Sequence, residues 1–183
     1  MLNCISMIVM ALVWIGAASR DAAEKLDPCS LLTSSEIEAV QGHAPAQKVA
    51  SEQPSGSFRF TQCFYRTAEY TSSVSVAVGV PLATDSKRSG PRQYWQQQFH
   101  PQVKPSPGRK KKEPPKPITG LGDEAFWVGD PLSGALYVRK GDVFLRLSVG
   151  GPTNETEKIR RAKLLASRAL TRLQASNPTP RSR

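Results

Sequence analysis

Hydrophobic and polar residues alternate most strictly over 74–80, where Val74, Val76, Val78 and Val80 are separated by Ser75, Ala77 and Gly79. A period of two marks a strand with one buried face. A second such run puts Val143, Leu145, Leu147 and Val149 on one face and Phe144, Arg146 and Ser148 on the other. Gly141-Asp142 joins it to the run 136–140 as a hairpin connection. Residues 58–67 are rich in aromatic and β-forming side chains and predict another strand, bulged where the alternation slips around Cys63. A turn at Gly120-Leu121-Gly122 leads into a strand ending near Val128. After Gly151-Pro152 the apolar period becomes three and four: Ile159, Ala162, Leu165, Ala166, Ala169, Leu170 and Leu173 line one side of a helix near 154–174, capped by Asn154 and Glu157. Lys158, Arg161, Arg168 and Arg172 opposite them read as a solvated face.

A short helix starts at Thr33-Ser34-Ser35-Glu36, which has the capping-box form, and ends at Gly42. A third spans about 91–99, with Trp95 and Phe99 placed to pack on the sheet. Residues 43–57 carry Pro45, Pro54, Ser55 and Gly56 and read as loop. The pattern therefore predicts an α+β fold: an antiparallel β-sheet of about five strands packed by a short N-terminal helix and a long C-terminal helix. It forms a single domain over 27–175.

The apolar run over 5–18 holds no charged residue and ends in Ala17-Ala18-Ser19. At about 14 residues it is shorter than the roughly 20 of a spanning helix. It reads as a signal peptide, 1–19, followed by a polar lead-in at 20–26; 176–183 is a flexible polar tail. The processed chain is then exported, to the periplasm or outside the cell, without a stable transmembrane span; the alternative is an uncleaved N-terminal membrane anchor. No positive charge precedes the run, which suggests a start further upstream. Cys4 precedes the run and leaves with the leader, so Cys29 and Cys63 remain. An even pair in an exported chain predicts a disulfide. It closes a loop of about 34 residues, worth about 3–4 kcal/mol in chain-entropy terms.

The net charge of the 183-residue chain is +10, all of it outside the leader. It concentrates at 101–117, where Lys104, Arg109, Lys110, Lys111, Lys112 and Lys116 are interspersed with prolines. Proline and like-charge repulsion favour a mobile, extended loop. These six residues are the candidate site for an anionic envelope component or a protein partner. No aromatics interleave with them, so specific nucleic-acid recognition is not expected. A second candidate is an apolar cleft between sheet and helices near Trp95 and Trp127, which would make the domain a small-ligand carrier or sensor.

In order, Asp27-Pro28-Cys29-Ser30-Leu31-Leu32, Cys63, Gly120-Leu121-Gly122-Asp123-Glu124-Ala125 and the C-terminal helix resemble the secreted and lipid-anchored envelope proteins of unknown function common in mycobacteria and their relatives. The resemblance covers about 27–173. It implies a PsbP-like fold, an antiparallel sheet packed by helices, and supplies no catalytic residues. The lipoprotein cysteine of that family is missing here, so a lipid anchor is not implied.

Catalytic signals are sparse. Gly120-x-Gly122 precedes a strand, which removes the helix N-terminus that a phosphate loop needs. Asp123 and Glu124 are neighbours on a strand and point to opposite faces. The two histidines, His43 and His100, have no partner legible in sequence. Two cysteines make no metal site. The expectation is a monomeric, non-enzymatic binding module without metal or cofactor.

Overall fold

The strand at 74–80 lies in the interior of the sheet, with a neighbour on each side, and its valine face is buried. In the computed structural model, which describes residues 26–56, 58–82, 90–100, 114–129 and 133–176, the strands are β1 (Pro45–Ser55), β2 (Phe58–Thr67), β3 (Val74–Pro81), β4 (Lys116–Pro117), β5 (Glu124–Gly129), β6 (Gly134–Lys140) and β7 (Val143–Val149). They form one seven-stranded antiparallel sheet in the order β1-β2-β3-β7-β6-β5-β4. The helices are α1 (Ser34–Gln41), α2 (Gly90–Phe99) and α3 (Glu155–Ser176). The α+β class holds, and about five strands becomes seven. No helix among the described residues is long and apolar enough to cross a membrane.

The two additional strands are the sheet's edges. β1 occupies most of the stretch expected as loop. It carries no apolar alternation because nine of its eleven residues are exposed. Backbone pairing with β2 defines it, and prolines at 45 and 54 are tolerated near the ends of an edge strand. β4 is the last part of the basic loop, where Lys116 and Pro117 pair with Trp127 and Phe126.

The expected bulge at Cys63 is replaced by a continuous register: Cys63 pairs with Ala50 on one side and Val76 on the other without interruption. The alternation slips because both faces of β2 are covered. Cys63 and Tyr65 join the main core, whereas Phe58 and Phe60 belong to a second cluster on the opposite face.

Face one is covered by α1 and α3. Leu31, Leu32, Ile37, the four β3 valines, Trp127, Leu145, Leu147 and the apolar stripe of α3 form one buried core. The Cys29–Cys63 disulfide closes beside it, with Cα atoms 5.0 Å apart. Tyr65, two residues along the same face, donates from its hydroxyl to the Pro28 carbonyl and accepts from the Leu32 N–H, both at 3.3 Å. Burial pushes this phenol up to about 12. Disulfide and tyrosine together hold the turn at Pro28–Ser30 on β2. Such a disulfide is characteristic of oxidising, exported compartments.

The capping box on α1 is complete: Thr33 Oγ1 accepts from the Glu36 N–H, and Glu36 Oε2 accepts from the Thr33 N–H. Gly42 ends the helix at φ 81°. The face of α3 expected to be solvated instead holds α1 in place. Arg172 donates to both Glu36 carboxylate oxygens, at 2.8 and 2.9 Å, and to the Leu31 carbonyl at 2.8 Å. Arg161 donates to Gln41 Oε1, while the buried Gln41 amide donates to the Ser72 and Gly150 carbonyls. Lys158 is buried. Arg168 alone of the four remains exposed.

Candidate functional site

Face two is covered over only part of its area. Phe58 and Phe60 on β2, Phe144 on β7 and Phe126 and Val128 on β5 meet Tyr94, Trp95 and Phe99 of α2. Tyr94 stacks on Phe144 with ring centroids 4.9 Å apart, and Phe99 on Phe126 at 4.8 Å. The ring of Phe144 lies directly on Gly79, its cross-strand partner, where a Cβ would collide with it.

Two residues along β7 the ring gives way to polar side chains. β3 presents Ala77 and Ser75, and β7 presents Arg146 and Ser148. Such a surface offers no hydrophobic stripe for a helix to cover. It forms the floor of an open groove of about 910 Å³, with Phe64 and Tyr70 on one wall and the start of β6 on another. Tyr137 separates this groove from the aromatic cluster, with its ring 5.3 Å from that of Phe99.

Arg146 is the charge in the floor, and Lys158 and Glu69 also line the groove. The Arg146 Nε donates to the Tyr137 hydroxyl at 3.1 Å, and its guanidinium carbon stands 5.8 Å from the Tyr137 ring centroid. Ring and hydroxyl therefore fix its orientation. The other half-buried arginines are matched to carboxylates: Arg59 to Glu52, Arg139 to Asp123, Arg161 to Glu157 and Arg172 to Glu36. Arg146 has no carboxylate among the described residues, and its two terminal amino groups bond none of them. Beside it, the Ser75 hydroxyl is buried without a hydrogen-bond partner among them. The oriented guanidinium can receive an anionic group.

The sequence-derived candidates are placed elsewhere. Lys104, Arg109, Lys110, Lys111 and Lys112 lie outside the described residues. Lys116 donates to Glu155 at 2.5 Å, and that contact, with the Trp127 N–H, holds the Glu155 carboxyl below the usual range. Trp95 and Trp127 are not brought together. Both are fully buried, on opposite faces, and each indole N–H is used by a glutamate: Trp95 donates to Glu124 at 2.6 Å and Trp127 to Glu155 at 2.9 Å. Neither lines the groove. Asp123 supports the hairpin: its carboxylate accepts from the Gly141 N–H at 2.7 Å. Burial alone would raise this carboxyl; the Gly141, Lys140 and Arg139 contacts outweigh burial and lower it.

Sequence reasoning missed Arg146 as a site residue. Its signal was present: a guanidinium on the non-core side of a strand that proves to be central, flanked by Ser148. The adjacent Ser75 became significant only through the strand order. Among the described residues no three His, Cys, Asp or Glu side chains are grouped to hold a metal ion. No protein-family model, curated protein or solved structure matches the chain.

Proposed function

We propose that this is an exported, non-enzymatic binding module, and that the open part of the second face receives an anionic group of a protein or of an envelope component. The observation that carries the reading is Arg146, held by Tyr137 in the groove floor with no carboxylate among the described residues. The disulfide supports export, and the leader read in the sequence supports a processed chain in the periplasm or outside the cell. Neither histidine is among the groove's lining residues, and Glu69, the one carboxylate in that lining, accepts from Thr71 Oγ1. This favours recognition over nucleophilic catalysis, which needs a held base. Phe64 and Tyr70 offer ring surface next to the charge, so the groove suits a group that is apolar on one side and anionic on the other. The basic residues of 101–117 would add long-range attraction for the same partner.

The test is binding of the chain from Arg20 to anionic lipid vesicles and to polyglutamate, across salt concentration. Three forms are compared: native, Arg146→Gln, and the six basic loop residues replaced by Ser. Binding that falls at least tenfold in Arg146→Gln while the loop form retains most of it supports the groove. Loss confined to the loop form transfers the role to the loop. Absence of binding by the native form sinks both.

A further inference from the structure

We propose that β1 is a self-association edge, to which a second copy of the chain adds its own β1 in antiparallel register about Ala50. The two ends of the sheet differ sharply. β4 is only two residues long and contains Pro117, whereas β1 runs for eleven residues and no described strand lies beyond it. Between the irregularity at Ala46 and Pro54, residues 47–53 form an edge in continuous register, the kind of backbone template that can pair with another strand.

The side chains select the occupant. In an antiparallel pair related by a two-fold axis at Ala50, Lys48 faces Glu52 of the second copy, and Glu52 faces its Lys48. Both charges stand on the same face of the sheet, since they pair with Tyr65 and Thr61 across β2. Each is already oriented within its own chain: Lys48 lies 5.7 Å from the Tyr65 ring centroid, and Arg59 contacts Glu52 at 3.5 Å. Association would therefore assemble two opposite-charge cross-strand pairs, each favourable by a few tenths to about 1 kcal/mol. Shifting the register by one residue would put the charges on opposite faces and lose both pairs. On the other face Val49, 44% exposed, would gain Ser51 of the second copy as its cross-strand neighbour. The edge thus carries its own complement, independently of the groove.

The experiment is sedimentation equilibrium of the full processed chain over a concentration series, with native, Lys48→Glu, and Lys48→Glu/Glu52→Lys forms. Both positions are exposed, and far-UV circular dichroism checks that each form stays folded. The expected result is a reversible dimer whose dissociation constant rises about tenfold in Lys48→Glu, where carboxylate meets carboxylate twice. The double exchange restores the complement and returns the constant toward native. A native chain that stays monomeric throughout overturns the proposal. So does a dimer indifferent to Lys48→Glu, or one that the double exchange fails to restore.

Discussion

On one face of the sheet two helices cover an enclosed apolar core; on the other, α2 covers only the part where the strands carry rings. Each face sets a large aromatic directly on a glycine: Trp127 on Gly134 in the first, Phe144 on Gly79 in the second. Where ring and glycine give way to Ser75, Ala77, Arg146 and Ser148, the helix cover ends and the groove begins. Cover on the second face thus follows the rings, and the ring-free rows of Ala77 with Arg146 and Ser75 with Ser148 leave Arg146 accessible.

Breaking each region should give effects of different size. Trp127→Ala empties the fully covered face and should destabilise by about 3–5 kcal/mol in urea titration; a loss under 1 kcal/mol would mean that this face is looser than described. Replacing both cysteines by Ser should cost about 3–4 kcal/mol, read in the same way. Gly79→Ala forces the Phe144 ring to move and should cost about 1–3 kcal/mol. An unchanged midpoint would show that α2 adjusts freely.

Glu36→Gln tests the bond between α1 and α3. Hydrogen bonding to Arg172, ahead of the capping contacts, lowers this carboxyl from 4.5 to about 2. A depressed carboxyl stabilises the folded chain above its unfolded value and loses that contribution as pH falls through the folded one. The native chain should therefore lose stability between about pH 4.5 and 2, and Glu36→Gln should flatten this fall, at a cost of about 1 kcal/mol at neutral pH. The smallest effect on stability is expected in the open part of the second face. Arg146→Gln should move the midpoint by no more than about 0.5 kcal/mol while weakening anion binding. A large destabilisation there would make Arg146 a structural residue.

The elements legible in sequence are those whose periodicity is enforced by burial. The valines of β3, the stripe of α3 and the capping box at Thr33 each carried their assignment into the structure. So did the Cys29–Cys63 pairing, because two cysteines allow one arrangement. β1 was illegible because an exposed edge strand has no apolar period, and β4 because two residues within a proline-rich run carry no pattern. The role of Arg172 required knowing that α1 lies against α3. Likewise, Ser148 and Arg146 show their alternation locally, but only the β3–β7 pairing adds Ser75 to them. The tryptophans misled for a related reason: Trp95 and Trp127 look equivalent in sequence, and the sheet passes between them.

The two tryptophan–glutamate pairs have an optical consequence. Glu124 accepts from the Trp95 indole and contacts His100; Glu155 accepts from the Trp127 indole and from Lys116. His100 and Lys116 bracket the basic stretch that separates α2 from β5. In the chain from Arg20, these are the only two indoles. Intrinsic emission thus carries a fluorophore at each base of that stretch, without any introduced dye. A partner that displaces His100 alters the field at Trp95, and one that displaces Lys116 alters it at Trp127. Single Trp→Phe variants resolve the two signals and show from which end the displacement comes.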